Sequence, residues 1–345
     1  MKLFTSDFFS APQNSGQSAP ISGDHIAELV SNFYPHLGAV QNITPCDGGG
    51  INSANLRIET ENSIVVAKKK TAPDIKPLER QAVFTNEIAK INDTLFPSLL
   101  RNSRKEFLTV DGNDVWILQN FAEGKQFQGS LGELISYCKT LITLRSTLAT
   151  MKAEDLSEQS LNGKDIAQTL LEDFSTTEAL FAITGPLGPE ILSQNWNEIV
   201  IQACDRVLQA DIGRPPTLSP FHIDLHPHNV LCHKNSIAAI VDWESFRQCN
   251  AEAFIGFSLI KMGRQSVANG VGFSTVQQQI FAVCDKLELP YTNTLLLGLS
   301  ELLRRIWNVI NVNKMHQDRR WNSFLPLIMR NVGEGLYFID KKERS

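Results

Sequence analysis

The stretch FHIDLHPHNVLCHKNSIAAIVDWESF, residues 221–246, decides how this chain is read. It sets four histidines and three acidic residues around two short apolar runs. Two chemistries compete for it: histidines as ligands of a metal such as zinc, or carboxylates and an amide as an oxygen-donor site. Prolines interrupt 218–229 too often for a continuous helix, so the polar residues of 222–229 are expected on a loop. That loop runs into NVLCH, a short apolar strand. SIAAIVDW (236–243) reads as a second strand, joined to the first by a hairpin turn at 233–235. The fold-back returns Asp242, at the end of the second strand, close to Asn229 at the start of the first. Asp224, Asn229 and Asp242 are therefore expected around one point.

Two carboxylates and an amide oxygen suit zinc poorly and magnesium well. Magnesium takes hard oxygen ligands, keeps several waters and needs only one or two carboxylates beside substrate phosphates. One carboxylate is then left over as a base. This division matches phosphoryl transfer, with Asp224 as base and Asn229 and Asp242 as metal ligands. At this point a family comes into view. HIDLHPHN (222–229) resembles the H-x-D-x-x-x-x-N loop of the aminoglycoside phosphotransferase and choline kinase superfamily, small-molecule relatives of protein kinases. VDWE (241–244) looks like the metal-binding segment that follows it. Ile223 and His228 stand where the family usually carries glycine, and neither change removes a ligand.

The resemblance implies an α+β, protein-kinase-like two-lobed fold, with a small β-rich N-lobe and a larger, mainly helical C-lobe. The chain divides accordingly: a small-residue lead-in at 1–23, an N-lobe at 24–118, a hinge at 119–124 and a C-lobe at 125–345. It also implies ATP and Mg2+ as cofactors. DGGGINSAN (47–55) resembles the family's phosphate-covering turn, with Gly48, Gly49, Gly50, Asn52 and Ser53 toward the nucleotide. IVVAKKK resembles the strand that ends in the phosphate-holding lysine. Alternation puts Val66, Lys68 and Lys70 on one face and Lys69 on the other, and Lys68 best matches the family position. The acid expected to pair with it is Glu79 of LERQ, although the register puts Gln81 at that place; Glu87 is a second choice. Gln119 and Phe121 of the hinge are expected beside the nucleotide. Glu244 has two readings, a further metal ligand or an exposed acid. Downstream, Phe254 is followed directly by Ile255 and Gly256, without the aspartate that braces the catalytic loop in choline-kinase-like relatives.

Composition bounds these readings. The 345 residues carry 42% hydrophobic and 20% charged residues and a net charge of −5, as in a globular protein with a sizeable core. The acidic balance argues against a nucleic-acid partner. Six scattered cysteines with no C-x-x-C pair read as reduced thiols, and Asp7 interrupts any signal-peptide core. A cytoplasmic protein without a membrane partner is expected. His222 is expected to bond the loop backbone, His226 and His228 to line the cleft or the surface, and His233 to be exposed. Trp307 and Trp321 read either as core residues or as walls of an acceptor pocket, and Glu301 and Asp318 as surface acids or contacts to a cationic substrate. The expected activity is transfer of the γ-phosphoryl group of ATP to a hydroxyl of an amino alcohol, a sugar or an aminoglycoside-like molecule. A catalytically silent kinase-fold binding protein, a nucleotidyl transferase and a histidine–metal hydrolase are the alternatives.

Overall fold

The computed structural model describes residues 22–46, 54–71, 75–153, 156–159, 162–175, 195–210, 217–316 and 322–341. The glycine turn, Trp321 and Asp318 lie outside them. Helix α1 (Gly23–Phe33) opens the described chain, its N-cap at Ser22 and Asp24 in its first turn, where a carboxylate complements the helix dipole. Ser22 supplies no side-chain cap.

Alternating strands then build an antiparallel sheet in the order β1 (Val40–Pro45), β2 (Ala54–Thr60), β3 (Ile64–Thr71), β5 (Asp114–Asn120), β4 (Leu108–Asp111). The alternation of β3 separates two environments. Val65 and Ala67 pack with Ile26, Leu29, Val30 and Trp116 beneath α1. Lys68 and Lys70 emerge on the opposite face. Lys69 points the other way, 2.7 Å from Asp114 and over the Trp116 ring. Helix α2 (Lys76–Ile91) begins with Pro77 in its first turn, where the missing N–H costs nothing. Ala82 of α2 belongs to the sheet's core, with Val115 and Ile117, whereas Phe84, Ile88 and Ala89 belong to the core of the larger lobe. One helix therefore serves both lobes.

β6 (Lys125–Gln126) leaves the first sheet and pairs with β9 (Val230–His233), which pairs in turn with β10 (Ser236–Ile240). The β9–β10 turn holds Lys234 and Asn235 at φ 48° and 64°, the left-handed pair of a tight hairpin turn. β10 ends at Ile240, earlier than the sequence pattern suggests, and Asp242 sits beyond it. A third small sheet runs β7 (Glu158–Gln159), β11 (Phe246–Asn250), β8 (Leu218–His222). Around these lie helices α3 (Leu131–Ala149), α4 (Gly163–Phe174), α5 (Trp196–Gln209), α6 (Ala251–Ala268), α7 (Phe273–Lys286), α8 (Tyr291–His316) and α9 (Leu325–Asp340). Ser130 and Glu133 form a capping box at the start of α3, and Asn250 caps α6 through Glu252 N at 3.1 Å.

Helices α6 and α8 cross with their backbones in contact. A Cβ at Gly256 would collide with the Thr294 carbonyl oxygen, and one at Gly298 with the Gly256 carbonyl carbon and the Phe257 nitrogen. The close crossing seats the polar side of α8 beside the loop that follows β8. Among the described residues no helix is long and apolar enough to cross a membrane. Cys138, Cys204, Cys232, Cys249 and Cys284 are buried.

Candidate active site

His222 ends β8 fully buried, with its ring against Phe246 at 5.2 Å between centroids. Its two ring nitrogens face two segments. Nδ1 accepts from the Asp224 N–H at 3.2 Å, so the proton sits on Nε2, which donates to the Val241 carbonyl at 3.1 Å. Burial, outweighing the nearby carboxylates, lowers the His222 pKa, in keeping with a neutral ring. The imidazole thus ties the start of the loop to the residue before Asp242. The 3₁₀ turn Pro227–Asn229 completes the loop, and Val241 N donates to the Asn229 carbonyl at 2.9 Å. Asn229 Nδ2 donates to the Asp224 carbonyl at 2.9 Å and lies 3.4 Å from Asp224 Oδ2. Its side-chain oxygen is left as an acceptor.

Asp242 adopts φ 69°, a left-handed conformation uncommon for a residue with a Cβ and often found at functional sites. The kink lets its carboxylate meet the small lobe. Oδ1 accepts from Lys68 Nζ at 2.6 Å and Oδ2 from Ser245 Oγ at 2.6 Å. Lys68 also ion-pairs with Glu244, and Lys70 reaches the same carboxylate at 2.6 Å. Burial alone would lower the Lys68 pKa, but Glu244 and Asp242 outweigh it and hold the ammonium above its ordinary value. Burial would likewise raise Asp242, and Lys68 overrides it, so the carboxyl is depressed far below the usual range.

Asp224 faces the helices. His226 Nε2 lies 3.3 Å from its Oδ2, and Arg305 of α8 lies 2.9 Å from its Oδ1. Arg305 Nη2 also donates to the Ile223 carbonyl at 3.1 Å. Burial pushes the Asp224 pKa up, but His226 and Arg305 outweigh it and keep the carboxyl well below its ordinary value. Without an aspartate after Phe254, this loop is held by His222 on one side and Arg305 on the other.

Lys68, Asp242 and Glu244 come together, as do Asp224 and Asn229. Glu79 does not join them. It is exposed on α2, while Gln81, at the inward register, is buried and donates to the Phe246 carbonyl at 3.3 Å. An inward side chain at position 81 is dictated by the helical repeat, so charge was a poorer guide than register. Glu87 points outward to Lys90. Gln119 pairs with Val66 and lines a small cavity with Phe96, His222, Val241 and Phe246. Phe121 lies under the Arg57 guanidinium, 5.1 Å from ring centroid to carbon. Gly48, Gly49, Gly50, Asn52 and Ser53 fall outside the described residues. Trp307 packs half-buried against the large core. Glu301 is fully buried and held by Arg304 and Arg305, so it is no surface acid.

The donor set discriminates between metals. His226 and His228 stack edge to face, whereas His222 is spent on the backbone, and among the described residues no three His, Cys, Asp or Glu side chains converge on a metal position. Magnesium asks for fewer protein ligands. Asp242, the free oxygen of Asn229 and Glu244, whose buried Oε2 has no hydrogen-bond partner, fit such an ion. Sequence reasoning missed Ser245 and Arg305. Arg304–Arg305 following Glu301 at helical spacing, inside an apolar run, was the available signal.

No known family model matches the chain, and no curated protein matches it by sequence. Solved structures do match. A spectinomycin phosphotransferase in complex with ADP and spectinomycin superposes with a TM-score of 0.61 at 14% identity, over 94% of this chain and 100% of that one. An aminoglycoside phosphotransferase from Alicyclobacillus acidocaldarius gives 0.64 at 14% identity, over 96% and 98%. A thermostable aminoglycoside phosphotransferase mutant bound to ADP and hygromycin B gives 0.51 at 13% identity, over 88% and 97%. At 13–14% identity the likeness is one of fold, and it extends over 88–96% of the chain. The fold is the two-lobed, kinase-like α+β fold of the aminoglycoside phosphotransferases.

Proposed function

We propose that this protein transfers the γ-phosphoryl group of ATP to a hydroxyl of a small molecule. The observation that carries the reading is the convergence, between the two lobes, of Lys68 on Asp242 and Glu244, with Asn229 hydrogen-bonded to Asp224 alongside. Enzymes of the same fold bind ADP together with spectinomycin or hygromycin B, which supports a nucleotide and a small acceptor here.

The chain's own groups divide the work. Lys68 is a part-buried cation held by two carboxylates, and nucleotide phosphates would take over that pairing. The 48–53 turn would cover the phosphates with backbone N–H groups. Asn229 and Asp242, with Glu244 beside them, would hold a magnesium ion, which supplies charge neutralisation at the phosphates. Asp224 would accept the acceptor's hydroxyl hydrogen bond and fix its direction. Its depressed pKa makes it a weak base, which suits a reaction in which positioning and electrostatics outweigh proton abstraction. His222 holds Asp224 and Asp242 in fixed relation.

A silent binding protein of the same fold is the second reading, favoured by Gln81, an uncharged residue at the register where relatives carry an acid. The two readings separate on turnover. Magnesium–ATP is expected to raise the unfolding midpoint of the wild type, by about 2.7 kcal/mol of stability at a hundredfold excess over Kd. Asp242→Asn is expected to lose most of that rise. Asp224→Asn is expected to keep it, while ADP release with an accepted substrate falls about 10²- to 10⁴-fold. Stabilisation without ADP release from any acceptor would favour the silent protein, and no stabilisation at all would refute the nucleotide site.

A further inference from the structure

We infer that Lys70 is a second phosphate-binding cation of the nucleotide site, acting beside Lys68 on the terminal phosphates. The inference rests on the reading of Lys68 as the phosphate-holding lysine. Strand geometry supplies the first observation. Lys68 and Lys70 are two residues apart on β3, about 6.5 Å along an extended chain, and share the face turned away from the α1 core. Their side chains nevertheless converge. Both ammonium groups reach Oε1 of Glu244, Lys70 at 2.6 Å. Two long, flexible side chains are thus set side by side before any ligand arrives. An anion oxygen that replaces Glu244 at Lys68 has Lys70 within reach as well. Neighbouring like charges repel unless an anion lies between them, and a phosphate chain brings more negative charge to that point than one carboxylate.

The place of Lys70 in the sheet supplies the second observation. β3 meets β5 with Val65 opposite Asn120 and Lys70 opposite Val115, so Lys70 lies farther than Lys68 from the hinge at 119–124. Ala54, the first residue of β2, pairs with Lys69, and the 48–53 turn enters the sheet through Ala54. With the base beside the hinge, the phosphates extend toward that end of the cleft. The Lys70 side chain is 25% exposed against 11% for Lys68, which gives its ammonium room to turn from the carboxylate to a ligand. Lys69, between the two, serves the opposite face, 2.7 Å from Asp114 and over the Trp116 ring. It is a built-in control for net charge.

The test separates contact with phosphate from charge and from the pairing with Glu244. Binding of magnesium–AMP-PNP, magnesium–ADP and adenosine is measured by titration calorimetry. The proteins are wild type, Lys68→Met, Lys69→Met, Lys70→Met and Lys70→Arg, each checked for folding by circular dichroism. Lys70→Met is expected to bind AMP-PNP about tenfold more weakly than wild type, with a smaller loss for ADP and none for adenosine. Lys70→Arg keeps the charge and is expected to retain most of the affinity, and Lys69→Met all of it. Unchanged AMP-PNP affinity in Lys70→Met, or an equal loss in Lys69→Met or for adenosine, overturns the inference. Lys70→Met is then repeated in a Glu244→Gln background, where no carboxylate is left unpaired at this point. The tenfold loss is expected to persist there. Its disappearance would show that Lys70 only neutralises Glu244, and would overturn the inference. A loss in Lys68→Met without one in Lys70→Met refutes the inference and leaves the nucleotide site standing. No binding of any of the three by wild type refutes the nucleotide site, and the inference with it.

Discussion

Lys261 shows how the burial of one side chain bears on stability. Its folded pKa of about 7 lies below the ordinary lysine value of 10.5, so between those values the unfolded chain holds a proton that the folded chain has lost. Stability must then rise with pH through that window, by up to about 1.4 kcal/mol per pH unit from this residue, with the full penalty present below it. Lys261→Met keeps the stem and removes the charge. It is expected to be more stable than the wild type at pH 7 and to show a flatter dependence between pH 7 and 10, measured by urea denaturation. An unchanged slope would mean that water already solvates the ammonium in the folded protein. The Asp224–Arg305 pair belongs to the same scale: an acid that the motif singles out meets a base from a distant helix, and their relationship is set by helix packing.

At the scale of elements, the crossing of α6 and α8 fixes where Arg305 can reach. Gly256 and Gly298 allow the two backbones to touch, and no side chain larger than hydrogen fits between them. Gly298→Ala forces the helices apart and is expected to cost about 3 kcal/mol, at the upper end of overpacking. It should also loosen the Asp224 loop, because Arg305, which bonds Asp224 and the Ile223 carbonyl, rides on α8. Equilibrium unfolding checks the first effect. A variant as stable as the wild type would show that the crossing can relax. The β9–β10 hairpin works differently. Its turn and its apolar strands are local, which is why the return of Asp242 toward Asn229 could be anticipated from order alone.

At the scale of the whole molecule, the two lobes are joined by more than the ion pairs of Lys68. Phe246 lies against Phe84 at 5.5 Å and Phe96 at 6.0 Å between ring centroids, and against His222 on its other side. Ile240 N donates to the Leu95 carbonyl at 2.8 Å beside it. Helix α2 and the segment after it are therefore anchored in the large core while the sheet is anchored to α2. Phe246→Ala is expected to cost about 3–5 kcal/mol and to loosen this joint. Unfolding followed by tryptophan fluorescence and by far-ultraviolet circular dichroism, coincident in the wild type, should then separate. Coincident curves in the variant would place the coupling elsewhere, with Lys68 the next residue to replace.

From the sequence by itself came the hairpin, the alternation of β3, and the nearness of Asn229 to Asp224 and to Val241 beside Asp242. All of these follow from periodicity, turn chemistry and residue type over short spans. The α2 register also told more than the charge of Glu79, since a helix repeats every 3.6 residues whatever its side chains carry. Only the tertiary structure decided what the charges face. Lys68 meets Asp242 and Glu244, Arg305 meets Asp224, and Glu301 is withdrawn into the core. Pairings across dozens of residues depend on how elements pack, and a linear pattern holds no term for that distance.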